Sequence, residues 1–367
     1  MPGGGIKLDI TKNKTDSEQG QQGTGADMDR LSQLTKVYRM RWKRRRLLYR
    51  SFRKRRQLTP VMNRTAQIGP DDILAVSTMR NEMVRLPHFL DHHRALGVDH
   101  FLIVENGSDD GTSVFLAKQP DVSLWTTPAS YKLSRFGVDW LTWLQRQYAH
   151  DHWCLTVDAD EILIYPHHDT RPLRALTDWL ERHNRRSFGA MMLDMYPKGP
   201  LKEREYEPGG DPFEILNWFD GGNYMIQKKA DLENLWIQGG PRARKFFADR
   251  PRRAPTMSKT PLVKWHRGYA YVSSSHSLLP RVLNHVYDDQ GGEKTSGILL
   301  HTKFLHTIVD KSAEEKHRRE HFANSDLYDS YYDGLTDNPD LWCEGSSRLI
   351  SWRQLEAMGL MSKGNWV

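Results

Sequence analysis

Short apolar runs alternate with helix-like segments between residues 73 and 164. Side chains alternate across a strand but return to one face of a helix after about 3.6 residues, so the two patterns can be told apart. The predicted strands are DILAVSTM, VDHFLIVEN, VSLWTTP and HWCLTVDADEILI. The predicted helices between them are NEMVRLPHFLDHHRALG, SVFLAKQ and FGVDWLTWLQRQYAHD. This order predicts an α/β fold in which helices flank a mostly parallel sheet.

Composition divides the chain into five segments. Residues 1–28 are rich in Gly, Gln, Ser, Thr and Asp, which predicts a disordered tail. Residues 29–58 predict a basic amphipathic helix, and residues 59–72 predict a linker that is punctuated by Pro and Gly. We assign residues 73–325 to one globular domain. Residues 326–367 form an aromatic-rich extension that we expect to pack on it.

Basic residues concentrate in residues 36–56, which carry twelve Lys or Arg and no acid. The chain has a formal net charge of +7, so the remainder sums to −5. Tyr38, Trp42, Tyr49 and Phe52 fall on one face of the predicted helix. The positive charge therefore belongs to this helix, and the globular domain is expected to be slightly acidic.

Three interpretations of this helix stay open. It is either a solvated basic helix, a surface that adsorbs to an anionic membrane, or a nucleic-acid binder. Each basic residue near an anionic membrane contributes roughly 1 kcal/mol, and aromatic side chains suit the interface. Nucleic-acid binding is unlikely, because no base-reading motif accompanies the charge.

The chain lacks the patterns of a membrane-spanning or secreted protein. No stretch approaches the roughly 18 to 20 apolar residues of a transmembrane helix, and the N-terminal residues lack the apolar segment of a secretory signal. Cys154 and Cys343 match neither a disulfide framework nor a metal spacing. We expect a cytoplasmic protein, located at the inner face of the membrane if the basic helix adsorbs there.

Asp158, Asp160 and Glu161 follow the apolar run CLTV. In an open α/β sheet, ligands bind at the carboxyl ends of the strands. Strand alternation predicts that Asp158 and Asp160 point to the same side, where two carboxylates need a cation between them. Mg²⁺ or Mn²⁺ is expected, because no Cys or paired His that would favour Zn²⁺ lies beside them. The alternative is that the aspartates cap a turn while Glu161 faces solvent.

Five blocks in order resemble the GT-A glycosyltransferases, specifically the bacterial family 2-like group. They are residues 75–112, the segment TVDADEIL, GGPRARKFF (239–247), PLVKWHRGYAYVSSSHSL (261–278) and ILLHTKFLH (298–306). The blocks span roughly residues 73–325, and they are specific to the family but not to a substrate. The resemblance implies a GT-A fold that transfers a sugar from a nucleoside-diphosphate sugar to an acceptor hydroxyl, with inversion, in the synthesis of cell-surface polysaccharide or glycoconjugate.

The resemblance also implies which residues bind the donor. Arg80, Asn81, Glu82, Glu105 and Asn106 would form the nucleotide pocket. The wider family often has two aspartates where this chain has the last two of these residues. A preference for a uridine nucleotide therefore does not follow, although an amide can still contact a pyrimidine edge.

The expected metal site follows from the same resemblance. Asp158 and Asp160 would hold the Mn²⁺ or Mg²⁺ that bridges the donor diphosphate, and Asp158 would also contact the donor. His301 would be the third ligand or a diphosphate contact. His276 is the alternative to His301, because it also closes an apolar, strand-like run.

The expected chemistry needs cations and a base. Arg242 and Arg244 are candidates to neutralise the charge that develops on the leaving diphosphate, although they could also lie in an exposed turn. Inversion needs a carboxylate as general base near the acceptor hydroxyl. We select Asp220, which lies between aromatic residues and Gly-Gly. The other acids of this region include Asp194, Asp211 and Glu214.

The expected partners are a nucleoside-diphosphate sugar and a saccharide, lipid-linked or protein acceptor. Two other functions stay open. A nucleotidyl or phosphoryl transferase would use the same metal site. A non-catalytic membrane or nucleic-acid adaptor would act through residues 36–56.

Overall fold

The structure, a computed structural model, describes residues 18–287, 294–318 and 325–366. The chain divides into two compact units, Met1–Lys43 and Arg44–Val367. The helices are α1 (Glu18–Lys54), α2 (Leu86–Leu96), α3 (Thr112–Ala117), α4 (Val138–Tyr148), α5 (Leu173–Arg182), α6 (Gly240–Phe246), α7 (Ile308–Arg318), α8 (Ser325–Thr336) and α9 (Trp352–Ala357). The strands are β1 (Thr59–Met62), β2 (Leu74–Met79), β3 (His100–Glu105), β4 (Val122–Thr126), β5 (Trp153–Thr156), β6 (Glu161–Ile164), β7 (Ser187–Asp194), β8 (Trp218–Asp220), β9 (Tyr224–Lys229), β10 (Asn234–Gly239), β11 (Ser258–Lys264), β12 (Ala270–Tyr271), β13 (Leu278–Leu279), β14 (Ser296–His301) and β15 (Ser346–Arg348).

One large sheet organises the second unit. Within the described residues it has nine strands in the order β1-β4-β3-β2-β5-β11-β7-β14-β6. β2 is parallel to β3 and β5, β3 is parallel to β4, and β7 is parallel to β14. β11 runs antiparallel to β5 and β7, and the edge strands β1 and β6 are also antiparallel to their neighbours. Six of the nine strands therefore run in one direction.

Both faces of this sheet are buried. Along β3, Phe101 and Ile103 lie in a buried cluster that includes side chains of α2, whereas Leu102 and Val104 lie in another that includes side chains of α4. Burial on two faces explains why the strands read as nearly continuous apolar runs. The predicted α/β fold with a sheet flanked by helices is confirmed.

The fourth predicted strand, HWCLTVDADEILI, is wrong as a single strand. β5 ends at Thr156 in the middle of the sheet, whereas β6 begins at Glu161 at the far edge, beside β14. A turn connects them, closed by a hydrogen bond of 3.0 Å from the N–H of Glu161 to the carbonyl oxygen of Asp158. Asp158 and Asp160 lie in this turn, so strand alternation does not set the directions of their side chains.

The predicted linker, residues 59–72, is partly sheet. β1 pairs with β4 at the edge of the large sheet. Pro60 is tolerated there because an edge strand can lack a ladder hydrogen bond. Arg64 then donates hydrogen bonds of 2.9 and 2.8 Å to the carbonyl oxygens of Ala117 and Val122. This segment is therefore fastened to the domain.

The basic helix is longer than predicted at its N-terminal end. α1 begins at Glu18, so the predicted disordered tail does not hold for residues 18–28, and residues 1–17 lie outside the described residues. Once a helix has formed, each added residue gains a hydrogen bond, which lets a polar segment extend it. α1 ends at Lys54, and the turn Arg55–Gln57 replaces its predicted last residues.

The part of α1 in the second unit packs on the domain. Leu47 and Ser51 are buried, and an Arg50 nitrogen lies 2.9 Å from a carboxylate oxygen of Asp139. The C-terminal extension also packs there, since Trp352 and other aromatic side chains of residues 326–367 are buried. Over the described residues, each helix is too short or too polar to cross a bilayer.

Candidate active site

A cavity of about 1120 Å³ opens at the carboxyl ends of β2 and β5. β3 and then β4 are added on one side of β2, whereas the next strand in the chain, β5, is added on its other side. The strand order therefore reverses between β2 and β5. Ligands bind at such reversal points in open α/β sheets. The residues after β2, Arg80 and Asn81, line this cavity together with Asp158 and Asp160 after β5. The predicted edge of the sheet is therefore the edge that carries the cavity.

Asp158 is neutralised by Lys259. A carboxylate oxygen of Asp158 lies 3.0 Å from Lys259 Nζ, and Lys259 also forms an ion pair with Glu161. Glu161 Oε2 accepts a hydrogen bond of 3.1 Å from the N–H of Asp158. Lys259 is the second residue of β11, and β11 is antiparallel, so its first residues reach the edge where the parallel strands end.

This ion pair is almost fully buried. The side chains of Lys259 and Glu161 are 3% and 1% exposed. Burial raises the pKa of Glu161 to about 7, although the charge of Lys259 opposes this shift. Burial alone would lower the pKa of Lys259, but the charges of Asp158 and Glu161 raise it above its ordinary value. Lys259 is therefore held as an ammonium ion between two carboxylates.

Asp160 is neutralised by His301. His301 Nε2 lies 3.1 Å from Asp160 Oδ2, and His301 Nδ1 lies 2.6 Å from Asp194 Oδ1. Arg242 Nε donates a hydrogen bond of 2.7 Å to Asp194 Oδ2. The sheet assembles this chain of contacts, because His301 is paired in register with Asp194 on β7 and with Glu161 on β6.

These neighbours shift the protonation of both groups. Burial alone would raise the pKa of Asp160, but the charge and the hydrogen bond of His301 hold it well below its usual range. Burial alone would lower the pKa of His301, but its two carboxylate partners raise it. Asp160 is therefore an anion in this structure.

Three cations, two of them buried, surround Asp160. Arg85 Nε and Arg242 Nη2 are buried, and within the described residues they have no hydrogen-bond partner. Lys303 also lines the cavity, and burial lowers its pKa although Asp160 opposes this shift. Buried donors without partners are costly, and an anionic ligand would satisfy them.

A glycine turn positions Arg242. Gly239 and Gly240 have φ values of +157° and +69°. A side chain on Gly239 would collide with the carbonyl oxygen of Asn223, so the turn requires glycine at this position. The turn leads directly into α6, whose third residue is Arg242.

Three consecutive residues that were predicted to bind the nucleotide, Arg80, Asn81 and Glu82, line the cavity. Asn81 adopts φ +51°, and its Oδ1 accepts a hydrogen bond of 3.0 Å from the N–H of Asp109, which joins the loops after β2 and β3. Glu82 lies 2.5 Å from an Arg85 nitrogen and 3.0 Å from Lys311 Nζ. The structure therefore brings Arg80, Asn81 and Glu82 together at the cavity, and the contacts of Asn81 and Glu82 also hold its loops in place.

Glu105 and Asn106 have separate roles in the structure. Glu105 is buried outside the cavity lining, where it accepts hydrogen bonds from Thr126 Oγ1, at 2.8 Å, and from the N–H of Ser108. Asn106 does line the cavity, and its Nδ2 donates to two backbone carbonyl oxygens at 2.8 and 3.0 Å. Both amide donors are thus used, and Asn106 can offer a ligand its carbonyl oxygen. Glu105 supports the loop and does not face a nucleotide.

Asp220 and Arg244 lie outside the cavity lining. Arg244 donates two hydrogen bonds of 3.0 Å to the two carboxylate oxygens of Asp220, and Tyr196 Oη contacts the same carboxylate. Asp220 is buried at the end of β8, which pairs with β15 of the C-terminal extension. The structure therefore supports neither Asp220 as general base nor Arg244 as a diphosphate contact.

His301, and not His276, contacts Asp160. His276 lines the cavity, but its Nδ1 lies 2.8 Å from the carbonyl oxygen of Ser258, and burial lowers its pKa to about 4. Its ring lies 6.1 Å from that of Trp236. His276 is thus part of the cavity wall.

The donor atoms fit a divalent ion only in part. Among the described residues, no three side chains of His, Cys, Asp or Glu are grouped as a metal site, because Asp158 faces Lys259. Asp160 and His301 remain as two neighbouring donors, with Asp194 behind His301 as carboxylates often stand behind metal-bound histidines. Two protein ligands suffice for Mg²⁺ when phosphate oxygens and water complete its shell.

Comparisons with known proteins identify no family. No protein-family model matches the chain, and no curated protein matches it. Among solved structures, the chain is similar to a protein assigned as a glucose-1-phosphate thymidylyltransferase from Bacillus anthracis in complex with a sucrose, with 10% identity over 69% of this chain and 98% of that chain and a TM-score of 0.34. It is also similar to a 4-diphosphocytidyl-2C-methyl-D-erythritol synthase (18% identity, 38% and 66%, TM-score 0.24) and to HddC from Yersinia pseudotuberculosis (8% identity, 66% and 98%, TM-score 0.28).

The cavity wall is strongly basic, which the sequence analysis missed. Among the described residues that line it, eleven are Lys or Arg and four are Asp or Glu. The basic residues are Arg80, Arg85, Lys132, Arg135, Lys229, Arg242, Arg252, Arg253, Lys259, Lys303 and Lys311. The net charge outside residues 36–56 is −5, which suggested a slightly acidic domain. A sum over the chain does not show where the fold places each charge. An anionic ligand is expected in this cavity.

Proposed function

We propose that this protein is a metal-dependent glycosyltransferase that moves a sugar from a nucleoside-diphosphate sugar to an acceptor hydroxyl, with inversion. The observation that carries this proposal is the Asp160 and His301 pair inside a basic cavity at the reversal point of the sheet. Each of the five segments that resemble family 2-like glycosyltransferases contributes residues to this cavity. We place the reaction in the synthesis of cell-surface polysaccharide or glycoconjugate, with a saccharide, lipid-linked or protein acceptor.

The diphosphate of the donor would lie among Asp160, His301 and the three cations Arg85, Arg242 and Lys303. Asp160 and His301 would hold Mn²⁺ or Mg²⁺, which neutralises negative charge on the leaving diphosphate when it is bound. Arg242 offers an unpartnered N–H from a guanidinium group whose orientation Asp194 fixes. A donor that is already oriented needs little rearrangement when charge develops on the leaving group.

The acceptor hydroxyl must lose its proton to a carboxylate. Among the acids that line the cavity, the side chain of Asp158 is 47% exposed, compared with 21% for Asp160 and 19% for Glu82. Glu161 is buried against Lys259. We therefore assign the general base to Asp158, in place of Asp220.

The first unit has the character of a membrane-adsorbing helix. Leu34, Val37, Tyr38 and Trp42 of α1 are between 52% and 66% exposed, and their spacing places them on one face of the helix. Basic residues lie between them. We propose that this face adsorbs to an anionic membrane, which would place the enzyme peripherally at the inner face.

Sedimentation with vesicles tests this location. The full-length protein should sediment with vesicles rich in phosphatidylserine and not with neutral phosphatidylcholine vesicles. The double substitution Tyr38→Ser and Trp42→Ser should abolish sedimentation. A control pair, Leu133→Ser and Val282→Ser, removes similarly exposed apolar side chains elsewhere and should have no effect. Equal sedimentation of the two double variants would contradict membrane adsorption through this face.

Product analysis tests the reaction. The protein is incubated with a panel of sugar nucleotides and Mn²⁺, without acceptor, and the released nucleotides are separated. A glycosyltransferase slowly hydrolyses its donor to a nucleoside diphosphate and a free sugar, and Asp160→Asn should abolish this release. Formation of a nucleoside triphosphate from added pyrophosphate would instead indicate nucleotidyl transfer. The absence of both products, together with Mn²⁺-independent nucleotide binding, would contradict a transferase site.

A further inference from the structure

A second basic wall lies on the side of the cavity opposite the nucleotide loops. The nucleotide side comes from the ends of β2, β3 and β4, on one side of β5. The opposite wall comes from the hairpin of β9 and β10 and from the turn Pro251–Arg253. This hairpin adjoins the other half of the sheet, because Met257 donates to Ile237 O and accepts from the N–H of Met192, both at 2.7 Å. The turn of Asp158 and Asp160 lies between the two walls.

The hairpin and the turn are fastened to each other. Gln238 of β10 is buried, and its Nε2 donates to the carbonyl oxygen of Arg252 at 3.0 Å and to that of Ala254. Arg252 is therefore fixed beside β10. Lys229 Nζ, at the end of β9, lies 5.5 Å from the ring centroid of Trp236 on β10, and both residues line the cavity.

The two cations of this wall, Lys229 and Arg252, are exposed, and Lys229 Nζ donates a hydrogen bond of 3.4 Å to Gln227 Oε1. Lys229 and Arg252 form no ion pair with a carboxylate in the part of the chain that the structure describes. On the nucleotide side, by contrast, Arg85 and Lys311 are both paired with Glu82. The three cations around Asp160 would already neutralise the charge of a diphosphate there. Lys229 and Arg252 thus supply positive charge beyond what binding of the donor requires.

We propose that this wall, formed by Lys229, Trp236 and Arg252, is a subsite for an anionic acceptor, a saccharide that carries a carboxylate or a phosphate group. The inference rests on the proposed glycosyl transfer and specifies its second substrate. An aromatic ring stacks on the apolar face of a sugar, and guanidinium and ammonium groups recognise carboxylates and phosphates. The subsite lines the same cavity as Asp158, the proposed base.

Calorimetric titration of three trisaccharides tests the subsite. Maltotriose is neutral, trigalacturonic acid carries carboxylates, and a maltotriose phosphate carries a phosphate group. Each is titrated into the full-length protein that has been saturated with UDP and Mn²⁺. We expect at least one anionic trisaccharide to bind about tenfold or more tightly than maltotriose, and which one does so identifies the anionic group. Sodium chloride should weaken that binding and leave binding of maltotriose nearly unchanged.

Paired substitutions locate the effect. Lys229→Gln with Arg252→Gln should reduce the affinity for the anionic trisaccharide by about tenfold or more, which is the loss expected for a charge-assisted hydrogen bond. The control pair, Lys228→Gln with Arg250→Gln, removes the same charge from the same segments outside the cavity lining and should have little effect. Affinity for UDP should not change in either pair.

Three results would overturn the inference. They are equal affinity for the neutral and anionic trisaccharides, equal losses in the two variant pairs, and displacement of the anionic trisaccharide by UDP. Displacement would mean that these cations serve the donor. If the protein binds neither UDP nor any other nucleoside diphosphate but still binds the anionic trisaccharide through Lys229 and Arg252, the subsite stands and the proposed donor site fails.

Discussion

Asp158 and Asp160 are separated by one alanine, but they lie in different electrostatic environments. Asp158 is half exposed and faces the ammonium group of a buried lysine, Lys259. Asp160 is more buried and faces the imidazole of His301, which Asp194 holds from behind. A lysine ammonium has no free lone pair for a metal ion, whereas a histidine that gives up its proton can bind one together with a carboxylate. The spacing of two aspartates therefore does not make a shared site, and their neighbours determine what each can do.

The ion pairs that Lys259 forms with Asp158 and Glu161 also have a structural role. Lys259 joins the turn after β5 to β11, and its second partner, Glu161, is the first residue of the edge strand β6. A buried ion pair contributes little net stability, but removal of one partner leaves a buried charge uncompensated. The same turn thus carries a structural ion pair at Asp158 and one of the two proposed metal ligands at Asp160.

The largest effect is expected from Lys259→Met. It should reduce the free energy of unfolding by about 3 to 5 kcal/mol, because Glu161 would lose its partner inside the protein. Urea denaturation measures this loss. Lys264→Met is the control in the same strand, since Lys264 and Glu181 are 29% and 48% exposed and should contribute less than about 1 kcal/mol.

A second substitution separates the ion pair from simple packing. Glu161→Gln added to Lys259→Met removes the orphaned charge and should restore much of the lost stability. If Lys259→Met is no more destabilising than Lys264→Met, or if Glu161→Gln restores nothing, the buried ion pair is not what holds this turn.

The two aspartates should differ in which step they affect. Asp160→Asn should weaken Mn²⁺-dependent binding of UDP, because it removes one of two proposed metal ligands. Asp158→Asn should leave that binding within about threefold and reduce the rate of sugar transfer by about 10² or more, which is the usual contribution of a general base. Calorimetry with UDP and Mn²⁺ measures the first effect, and steady-state transfer measures the second. If both variants lose UDP binding equally, the aspartates share one site as the sequence first suggested.

Local patterns were sufficient for half of the sheet. β2, β3 and β4 and the helices α2 and α4 match the predicted segments, because their apolar periodicity and the glycine that ends α2 are features of neighbouring residues. The other half depends on pairing between distant segments. β11 lies between β5 and β7, and β6 lies at the edge of the sheet, four positions from β5, although it follows β5 in the chain. No local sequence pattern predicts either position.

The site shows the same limit. The cavity position of Arg80, Asn81 and Asn106 and the meeting of Asp160 with His301 followed from family resemblance and from the rule that ligands bind at strand ends. Lys259 was missed, although a polar residue at the start of the apolar run of β11 was a usable signal. The basic wall was missed because its members come from loops far apart in sequence. Asp220 was selected for its aromatic and glycine neighbours, which instead belong to the packing of β8 against the C-terminal extension.

The smallest effect on the reaction is expected from Asp220→Asn. The carboxylate of Asp220 accepts hydrogen bonds from Nε and Nη2 of Arg244 outside the cavity lining. The rate of sugar transfer should therefore stay within about threefold of that of the unmodified protein. The free energy of unfolding should fall by about 1 to 3 kcal/mol, which is the range for a lost hydrogen bond to a charged group. Asp194→Asn is the comparison inside the site, and it should reduce transfer strongly because Asp194 orients both His301 and Arg242. A drop of 10² or more in transfer by Asp220→Asn, with unchanged stability, would return the base to Asp220 and remove Asp158 from that role.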